Sequence, residues 1–190
     1  MSADIVQAVE LARQGDSEAI EVVARHALRL ALRTSAATLG SREEAADIAQ
    51  EVTIDVLRGL RGLRDPLRFD AWVHRITARR ALRYLRSRRG QARLERSLEE
   101  LQEREHPTAG VRDEPSSIEP AIRRALAELP PRQRLALALK YVADLTDAEI
   151  ATVLGCRRGT AGSLLSRGRT ALHANPSLAE LRPSGLHGGS

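Results

Sequence analysis

The side chains best suited to chemistry lie near the C-terminal end of the chain, in LTDAEIATVLGCRRGTAGSLLSRGRTAL at residues 145–172. The second half of this stretch presents hydroxyl and guanidinium groups, at Arg157, Arg158, Thr160, Ser163, Arg167 and Arg169. Such groups donate hydrogen bonds to phosphate oxygens and to the edges of bases. The residue types therefore predict nucleic-acid recognition, although a helical hairpin in any all-α core would look similar.

A second set of cations is spaced as on one face of a helix. The set comprises four arginines of a predicted helix over residues 69–89 and two from the loop before it: Arg64, Arg68, Arg75, Arg79, Arg83 and Arg86. A ladder of guanidiniums beside an aromatic edge suits a phosphate backbone with stacking on unpaired bases. The alternative is solvated arginines beside core aromatics, which we favour for Tyr84 and leave open for Trp72. Arg80 falls within the apolar stripe and needs a carboxylate or a route to the surface.

A third set is acidic and lies on a predicted helix over residues 42–60. Asp47, Glu51 and Asp55 recur every four residues, with Gln50 beside them, and Ile48, Val52 and Val56 form the opposite, inner stripe. Most such charge runs are solvated faces. On a basic protein, however, an acidic ridge can also dock a basic partner helix, because complementary charge steers encounter and fixes register.

Catalytic and metal sites find no support in the sequence. The five histidines are scattered and share no metal-ligand spacing with each other or with Cys156. There is no glycine-rich phosphate loop and no nucleophile-elbow serine. We therefore expect a protein that is not an enzyme and that has neither metal nor cofactor.

The bulk composition favours helices and an anionic partner. Aromatic residues are only 2% of the chain while apolar residues are 42%, so the core must be built from Leu, Ala, Ile and Val. The formal charge of +5 suggests a polyanion. A single cysteine excludes an internal disulfide, and no apolar run could span a membrane. The expected location is cytoplasmic, without membrane insertion.

Start and stop signals place these groups on short helices. N-cap residues at Asp16, Ser17 and Ser41 begin the second and third helices, and Thr146 with Glu149 forms a capping box before the first helix of a helix-turn-helix. Gly155 supplies its turn, and the second helix begins near Gly159. The prediction is an all-α fold of two small helical domains joined by a flexible linker, the second containing the helix-turn-helix. The predicted ranges are 1–89, a linker 90–117, 118–174 and a loose tail 175–190.

Several segments resemble one bacterial family. GDSEA at 15–19, EEAADIAQEVTIDVL at 43–57 and FDAWVHRITARRAL at 69–82 look like successive parts of the second conserved region of extracytoplasmic-function (ECF) RNA polymerase sigma factors. LAELPPRQRLALALKYVADLTDAEIATVLGCRRGTAGSLLSRGRTAL at 126–172 looks like the fourth region. The DIAQE and ELPPRQR segments, in this order and at this separation, are specific signals.

The resemblance implies a dissociable promoter-specificity subunit. Its partners would be core RNA polymerase, through the β′ and β subunits, promoter DNA in duplex and single-stranded form, and an anti-sigma factor. Asp47, Gln50, Glu51 and Asp55 would dock on the β′ coiled coil. The arginines listed above from Arg64 to Arg86, with Trp72, would hold the minus-ten element, and the helix from Gly159 would read the minus-thirty-five element.

Four residues depart from the family pattern, and one rival function remains. Arg80 and Arg83 stand where the family often has asparagine and aspartate, a difference within the helix to which the resemblance assigns promoter melting. Gly162 and Leu164 stand where the family usually has basic residues, which predicts a weak minus-thirty-five contribution that a Gly162→Lys, Leu164→Arg variant would strengthen. The rival is a helix-turn-helix regulator that never engages core polymerase. That reading leaves the acidic ridge and the arginine-rich helix without a role.

Overall fold

The computed structural model describes residues 3–100 and 118–181, and every regular element within them is helical. The α-helices, in chain order, are α1 (Ala3–Gln14), α2 (Ser17–Leu39), α3 (Arg42–Gly59), α4 (Phe69–Glu100), α5 (Ile118–Glu128), α6 (Pro131–Tyr141), α7 (Asp147–Leu154) and α8 (Arg158–Ala174). Short 3₁₀ helices follow α3, precede α4 and follow α8, at Leu60–Gly62, Pro66–Arg68 and Pro176–Leu181. The described part of the chain is thus all-α, as the composition predicts.

The helix ends follow local capping chemistry. The Asp16 carboxylate accepts a hydrogen bond from the Ala19 backbone N–H at 2.8 Å, and the Ser41 hydroxyl accepts one from the Glu44 N–H. Gly40 ends α2 in the left-handed conformation, with φ of 78°, which glycine adopts without steric cost. Each of these signals lies within a few residues of its helix end, which is why the sequence alone predicts them.

The N-terminal domain is built from α1 to α4, with α2 packed against the other three. Its core is aliphatic and closely packed: Val9, Val23, Val52 and Val56 are fully buried, and Phe69 is the large side chain at the start of α4. Valine and alanine pack at short interhelical distances, so this domain needs few aromatics. The inner stripe predicted for α3 is the stripe that is buried.

The C-terminal domain contains α5 to α8. Leu135 and Leu139 of α6, Ile150 of α7 and Leu165 of α8 meet in its core. Arg134 is also buried there, and its guanidinium donates to the backbone carbonyls of residues 127 and 129 at the end of α5. A buried guanidinium is tolerated only when it is hydrogen-bonded, so Arg134 fixes the α5–α6 junction.

The two domains pack against each other. Arg134 Nη1 donates to the Thr38 carbonyl of α2 at 3.1 Å, and Arg33 Nη2 of α2 donates to the Val142 carbonyl at the end of α6 at 3.1 Å. Ala78 of α4 is buried in the core cluster of the C-terminal domain. The sequence contains no signal for these contacts, because they join residues that are distant along the chain.

Two predicted boundaries are wrong. Helix α4 does not end near Arg89 but continues to Glu100, because QARLERSLEE consists mostly of strong helix formers and one internal glycine costs only about 1 kcal/mol. The tail predicted from residue 175 begins with a 3₁₀ helix that packs against α5. Asn175 is buried, and its side-chain amide donates to Glu128 at 2.6 Å. The rest of the predicted linker and tail lies outside the described residues.

Candidate functional site

The predicted acidic docking ridge lies along one side of α3. Asp47, Gln50 and Glu51 are exposed, and Asp55 is half-buried. Ile54, which is 48% exposed, lies among them. The structure therefore brings all four predicted residues to one accessible surface, which we call the acidic ridge.

Arg80 of α4 reaches the acidic ridge, where Asp55 and Glu51 are the carboxylate partners that the sequence could not name. Its Nε and Nη2 donate to Asp55 Oδ2 at 2.7 and 2.6 Å, and its Nη1 donates to Glu51 Oε2. Burial disfavours the charge of Arg80, but the hydrogen bonds and charges of Asp55 and Glu51 outweigh this and raise the pKa of the guanidinium. Two carboxylates of the ridge are therefore shared between the surface and an internal ion pair.

A cavity of about 420 Å³ lies where the loop after α3 meets the start of α4. Four of the predicted minus-ten residues line it: Arg64, Arg68, Trp72 and Arg75. The three arginines are exposed, while Trp72 is half-buried and packs edge-to-face on Phe69, with ring centroids 6.1 Å apart. One aromatic wall and three cationic groups thus surround a space that is open to a flat, anionic ligand.

Gly59 makes room for the indole of Trp72. A Cβ atom at residue 59 would lie 3.0 Å from Trp72 Cζ2 and 3.2 Å from Cη2, closer than ordinary packing allows. On the other side of the loop, the Asp65 carboxylate accepts from the Leu67 N–H at 3.0 Å and from Arg68 Nε at 3.2 Å. The absence of a side chain at Gly59 therefore lets the indole lie at the cavity, and Asp65 orients the exposed Arg68 guanidinium beside it.

The remaining cations of α4 follow the prediction. Arg79, Arg83 and Arg86 are exposed and lie on the same side of the helix as Arg75. Tyr84, by contrast, packs on the N-terminal core, and its hydroxyl is hydrogen-bonded to Glu44. Burial and this carboxylate raise the pKa of the phenol. Tyr84 is thus a packing residue, as we favoured from sequence.

Helix α7 of the C-terminal domain covers one side of the cavity. Thr152 and Val153 are among its lining residues. A smaller neighbouring cavity of about 200 Å³ lies between Arg75 and Arg79 of α4 and residues 152–155. The exposed arginines on one side of α4 (Arg75, Arg79, Arg83 and Arg86), which we call the arginine stripe, are therefore adjacent to the helix-turn-helix at Arg75 and Arg79.

The helix-turn-helix forms as predicted. The Thr146 hydroxyl accepts from the Glu149 N–H at 3.3 Å, and Glu149 Oε2 accepts from the Thr146 N–H at 2.8 Å, which completes the capping box. The hydrogen bonds from Thr146 lower the pKa of the Glu149 carboxyl. Gly155 makes the turn with φ of 60°. Helix α8 begins at Arg158, one residue before the predicted Gly159.

The predicted contact residues of α8 do not share one face. At about 100° per residue, Thr160, Ser163 and Arg167 lie within about 60° of one another. Arg158 and Arg169 lie about 160–180° from Thr160, across the buried stripe of Ala161 and Leu165. Arg169 lines a cavity beside Tyr141 and His173 instead. Arg169, which we also predicted as a contact residue, therefore lies on a different face of α8 from Thr160, Ser163 and Arg167.

The two family departures on α8, Gly162 and Leu164, lie in different surroundings. A Cβ at Gly162 would meet nothing within 4 Å, so a longer side chain fits there, but it would lie nearer to Arg158 and Arg169 than to Thr160. Leu164 is half-buried against the C-terminal core. A basic residue at 164 would have to leave that packing, so the predicted gain from a combined Gly162→Lys, Leu164→Arg variant does not follow from the structure.

Sequence reasoning missed several residues at these sites. Asp65 carries a local signal, since Asp before Pro typically caps a turn. Gly59, Thr152 and Val153 reach the cavity only through tertiary packing. Within residues 3–100 and 118–181, no group of three or more His, Cys, Asp or Glu could hold a metal ion, and no helix is long and apolar enough to cross a membrane.

Two family models match the chain. Residues 20–91 match Sigma-70 region 2, and residues 120–172 match region 4 of Sigma-70. The first match contains the acidic ridge, the cavity and the arginine stripe, and the second contains the helix-turn-helix. Together they cover more than half of the chain and all three predicted sites.

Curated relatives are named as RNA polymerase sigma factors. ECF RNA polymerase sigma factor SigE of Mycolicibacterium smegmatis is 36% identical over 158 residues, which are 80% of this chain and 59% of that protein. RNA polymerase sigma-H factor of Pseudomonas aeruginosa is 30% identical over 177 residues, 87% of this chain and 90% of that one. ECF RNA polymerase sigma factor SigM of Mycobacterium tuberculosis is 31% identical over 160 residues, 83% and 77% of the two chains. The chain thus spans less than two thirds of SigE but most of the other two.

Solved structures show the same fold. CnrH in complex with the cytosolic domain of CnrY superposes with a TM-score of 0.63 at 24% identity, over 89% of this chain and 94% of that one. RpoE of Bartonella quintana in complex with the anti-sigma factor NepR gives 0.55 at 18% identity, over 82% and 92%. From the two region matches and the curated relatives, the chain belongs to the ECF family of RNA polymerase sigma factors.

Proposed function

We propose that the chain binds core RNA polymerase and directs promoter-specific initiation of transcription. The observation that carries this is the presence, on one chain, of the acidic ridge, a cavity lined by an aromatic side chain and arginines, and a helix-turn-helix. A helix-turn-helix regulator would need only the last of these. Catalysis of phosphodiester formation belongs to the polymerase, so the chain's own groups need only bind and position.

The acidic ridge would hold the polymerase. Asp47, Gln50 and Glu51 are exposed side by side, and Ile54 adds an apolar contact at the centre. A partner helix with basic residues and an apolar stripe complements such a surface, because charge speeds encounter while apolar burial slows dissociation. This composition fits the proposed contact with a basic coiled coil of the β′ subunit, with further contacts to β.

The cavity would capture an unpaired base of the minus-ten element. Its volume of about 420 Å³ falls in the usual range of small-ligand sites, about 300–1,000 Å³. Trp72 offers a face for stacking, and Arg64, Arg68 and Arg75 can pair with the flanking phosphates. The exposed Arg79, Arg83 and Arg86 would continue the phosphate contacts along α4.

Helix α8 would read the minus-thirty-five duplex with Thr160, Ser163 and Arg167, which share an exposed face. Arg157, the N-cap of α8, is exposed at the entry to this face. Few long side chains occupy it, so affinity for duplex DNA would rest on a small number of contacts. Arg158 and Arg169 can at most reach the backbone at the edges of the groove.

Promoter binding would also require the two domains to separate. The two promoter elements lie about 25 base pairs apart, or roughly 85 Å at about 3.4 Å per base pair. Here Thr152 and Val153 of the helix-turn-helix line the cavity that would hold the minus-ten base. The packed arrangement cannot engage both elements, so binding to polymerase would have to open it.

An anti-sigma factor is a further proposed partner. RpoE of Bartonella quintana was solved with the anti-sigma factor NepR, and its fold covers most of this chain. A protein that holds the domains in their packed arrangement would keep the cavity covered. Such a partner would act by preventing separation.

Binding of core polymerase by an Asp47→Lys variant tests the docking proposal. Asp47 is exposed and, unlike Glu51, does not pair with Arg80, so the substitution changes the ridge without breaking that ion pair. A Glu10→Lys variant on α1 makes the same charge change at another exposed site. Loss of core binding in Asp47→Lys alone supports the assignment, and equal binding by both variants would overturn it.

A further inference from the structure

Arg80 contacts the acidic ridge from the DNA-facing helix. Its three nitrogen donors engage the Asp55 and Glu51 carboxylates, and its side chain is 27% exposed. Glu51 remains 55% exposed and Asp55 33% exposed, so both carboxylates are still accessible from outside. The same oxygen atoms that a basic partner would seek are therefore already accepting hydrogen bonds from within the chain.

The charge balance of the ridge depends on this contact. Asp47, Glu51 and Asp55 supply three negative charges, and Arg80 offsets one of them. The guanidinium sits at the C-terminal half of the ridge, whereas Asp47 lies one turn beyond Glu51 on the other side. Arg80 thus weakens the negative potential that steers a basic partner at Glu51 and Asp55, and no ion pair joins it to Asp47.

We propose that Arg80 is an internal competitor for the polymerase's basic residues and thereby sets the rate at which the chain associates with core enzyme. This inference rests on the proposed docking role of the ridge and deepens it by naming a residue that tunes the contact. An incoming cation must share or displace Arg80 at Glu51 and Asp55. In this proposal Arg80 contacts neither promoter nor polymerase and acts only through the carboxylates of Glu51 and Asp55.

The expected size follows from Coulomb's law in a water-like medium. Removing one unit charge about 7 Å from a cation of the partner changes the association constant by about threefold. The Debye length is about 8 Å at physiological ionic strength, so salt removes most of the effect. Charges at the rim of an interface act mainly on the association rate, which is where the change should appear.

The test measures association with core polymerase for Arg80→Gln, Arg80→Lys and a control, Arg29→Gln, at low and high salt. Arg29 is an exposed arginine of α2, so its variant makes the same charge change on another helix. The proposal predicts association about two- to threefold faster for Arg80→Gln at low salt, no gain at high salt, and a rate close to wild type for Arg80→Lys, which keeps the charge.

Thermal unfolding of each variant separates tuning from folding. A purely structural ion pair would lower the unfolding temperature of Arg80→Gln without faster association, and this result would overturn the proposal. Slower association would overturn it too, because Arg80 would then be holding the carboxylates in place for the polymerase. If Asp47→Lys also binds core normally, the docking role itself is wrong, which distinguishes that failure from failure of the Arg80 inference.

Discussion

Substitution of Gly59 by alanine should impair promoter opening while leaving the fold nearly unchanged. The new Cβ would lie 3.0 and 3.2 Å from two atoms of the Trp72 indole, which must move by a few tenths of an ångström. Overpacking typically costs about 1–3 kcal/mol, and we take the low end, about 1 kcal/mol, because the indole is only half-buried and can shift. Residue 59 is the last residue of α3, where alanine is a better helix former than glycine, and this stabilises the variant by up to about 1 kcal/mol. We therefore expect the unfolding free energy to change by less than about 1 kcal/mol.

The functional cost should exceed the cost in stability. Stacking of one base on an aromatic side chain contributes about 1–3 kcal/mol. If the shifted indole loses half of that, about 0.5–1.5 kcal/mol, open-complex formation falls about two- to tenfold. Trp72→Ala sets the upper limit for the loss. Gly62→Ala is the matched control, since Gly62 also lines the cavity but a Cβ there meets nothing within 4 Å and leaves the indole in place.

The chain itself supplies the probe for this experiment. Trp72 is the only tryptophan, so the intrinsic fluorescence of the isolated protein reports directly on the indole. We expect Gly59→Ala to alter the emission of Trp72 and to reduce run-off transcription by the reconstituted holoenzyme, while Gly62→Ala does neither. Altered emission with undiminished transcription would refute the role of Trp72 in base capture.

Two further predictions concern pH and the helix-turn-helix. His74 is buried with its Nδ1 3.3 Å from the Thr34 hydroxyl, and burial lowers its pKa, so the unfolded chain takes up a proton first as the pH falls. The contribution of His74 to the unfolding free energy should therefore be constant above about pH 6.5. Below that pH the unfolding free energy should decrease by at most about 1.4 kcal/mol per pH unit. Urea titrations at several pH values should find a smaller decrease in His74→Gln. In α8, Arg167→Ala should weaken promoter binding by holoenzyme and lower the salt dependence of that binding by about one charge. Arg169→Ala should weaken binding much less. Equal losses of promoter affinity in a salt titration of the two variants would contradict the division of α8 into two faces.

Local sequence signals predicted where the helices begin and turn, whereas contacts between distant segments determine the geometry of the acidic ridge and the cavity. Asp16, Ser41, Thr146 and Gly155 act on neighbours within a few residues, so the helix starts and the turn could be read from sequence. The separation of Arg169 from Thr160 was also readable, because it follows from the helical repeat alone. The sequence prediction for α8 chose contact residues by their type, and only their angles around the helix divide them between two faces.

Other features depend on packing between distant segments. Arg80 and Glu51 are 29 residues apart, and only the crossing of α3 and α4 brings them together. Asn175 is held by Glu128, 47 residues away, which is why the start of the tail looked loose in sequence. The cover that Thr152 and Val153 place over the cavity depends on the packing of two domains, to which no local pattern corresponds.

The most direct test of the central claim is transcription reconstituted from purified core polymerase, the full chain and genomic DNA fragments. We expect discrete transcripts that require the chain, arise from a small set of promoters and are reduced by Asp47→Lys but not by Glu10→Lys. Binding of the chain to the same fragments without any chain-dependent transcript would contradict a role in initiation and favour a helix-turn-helix regulator that acts without core polymerase.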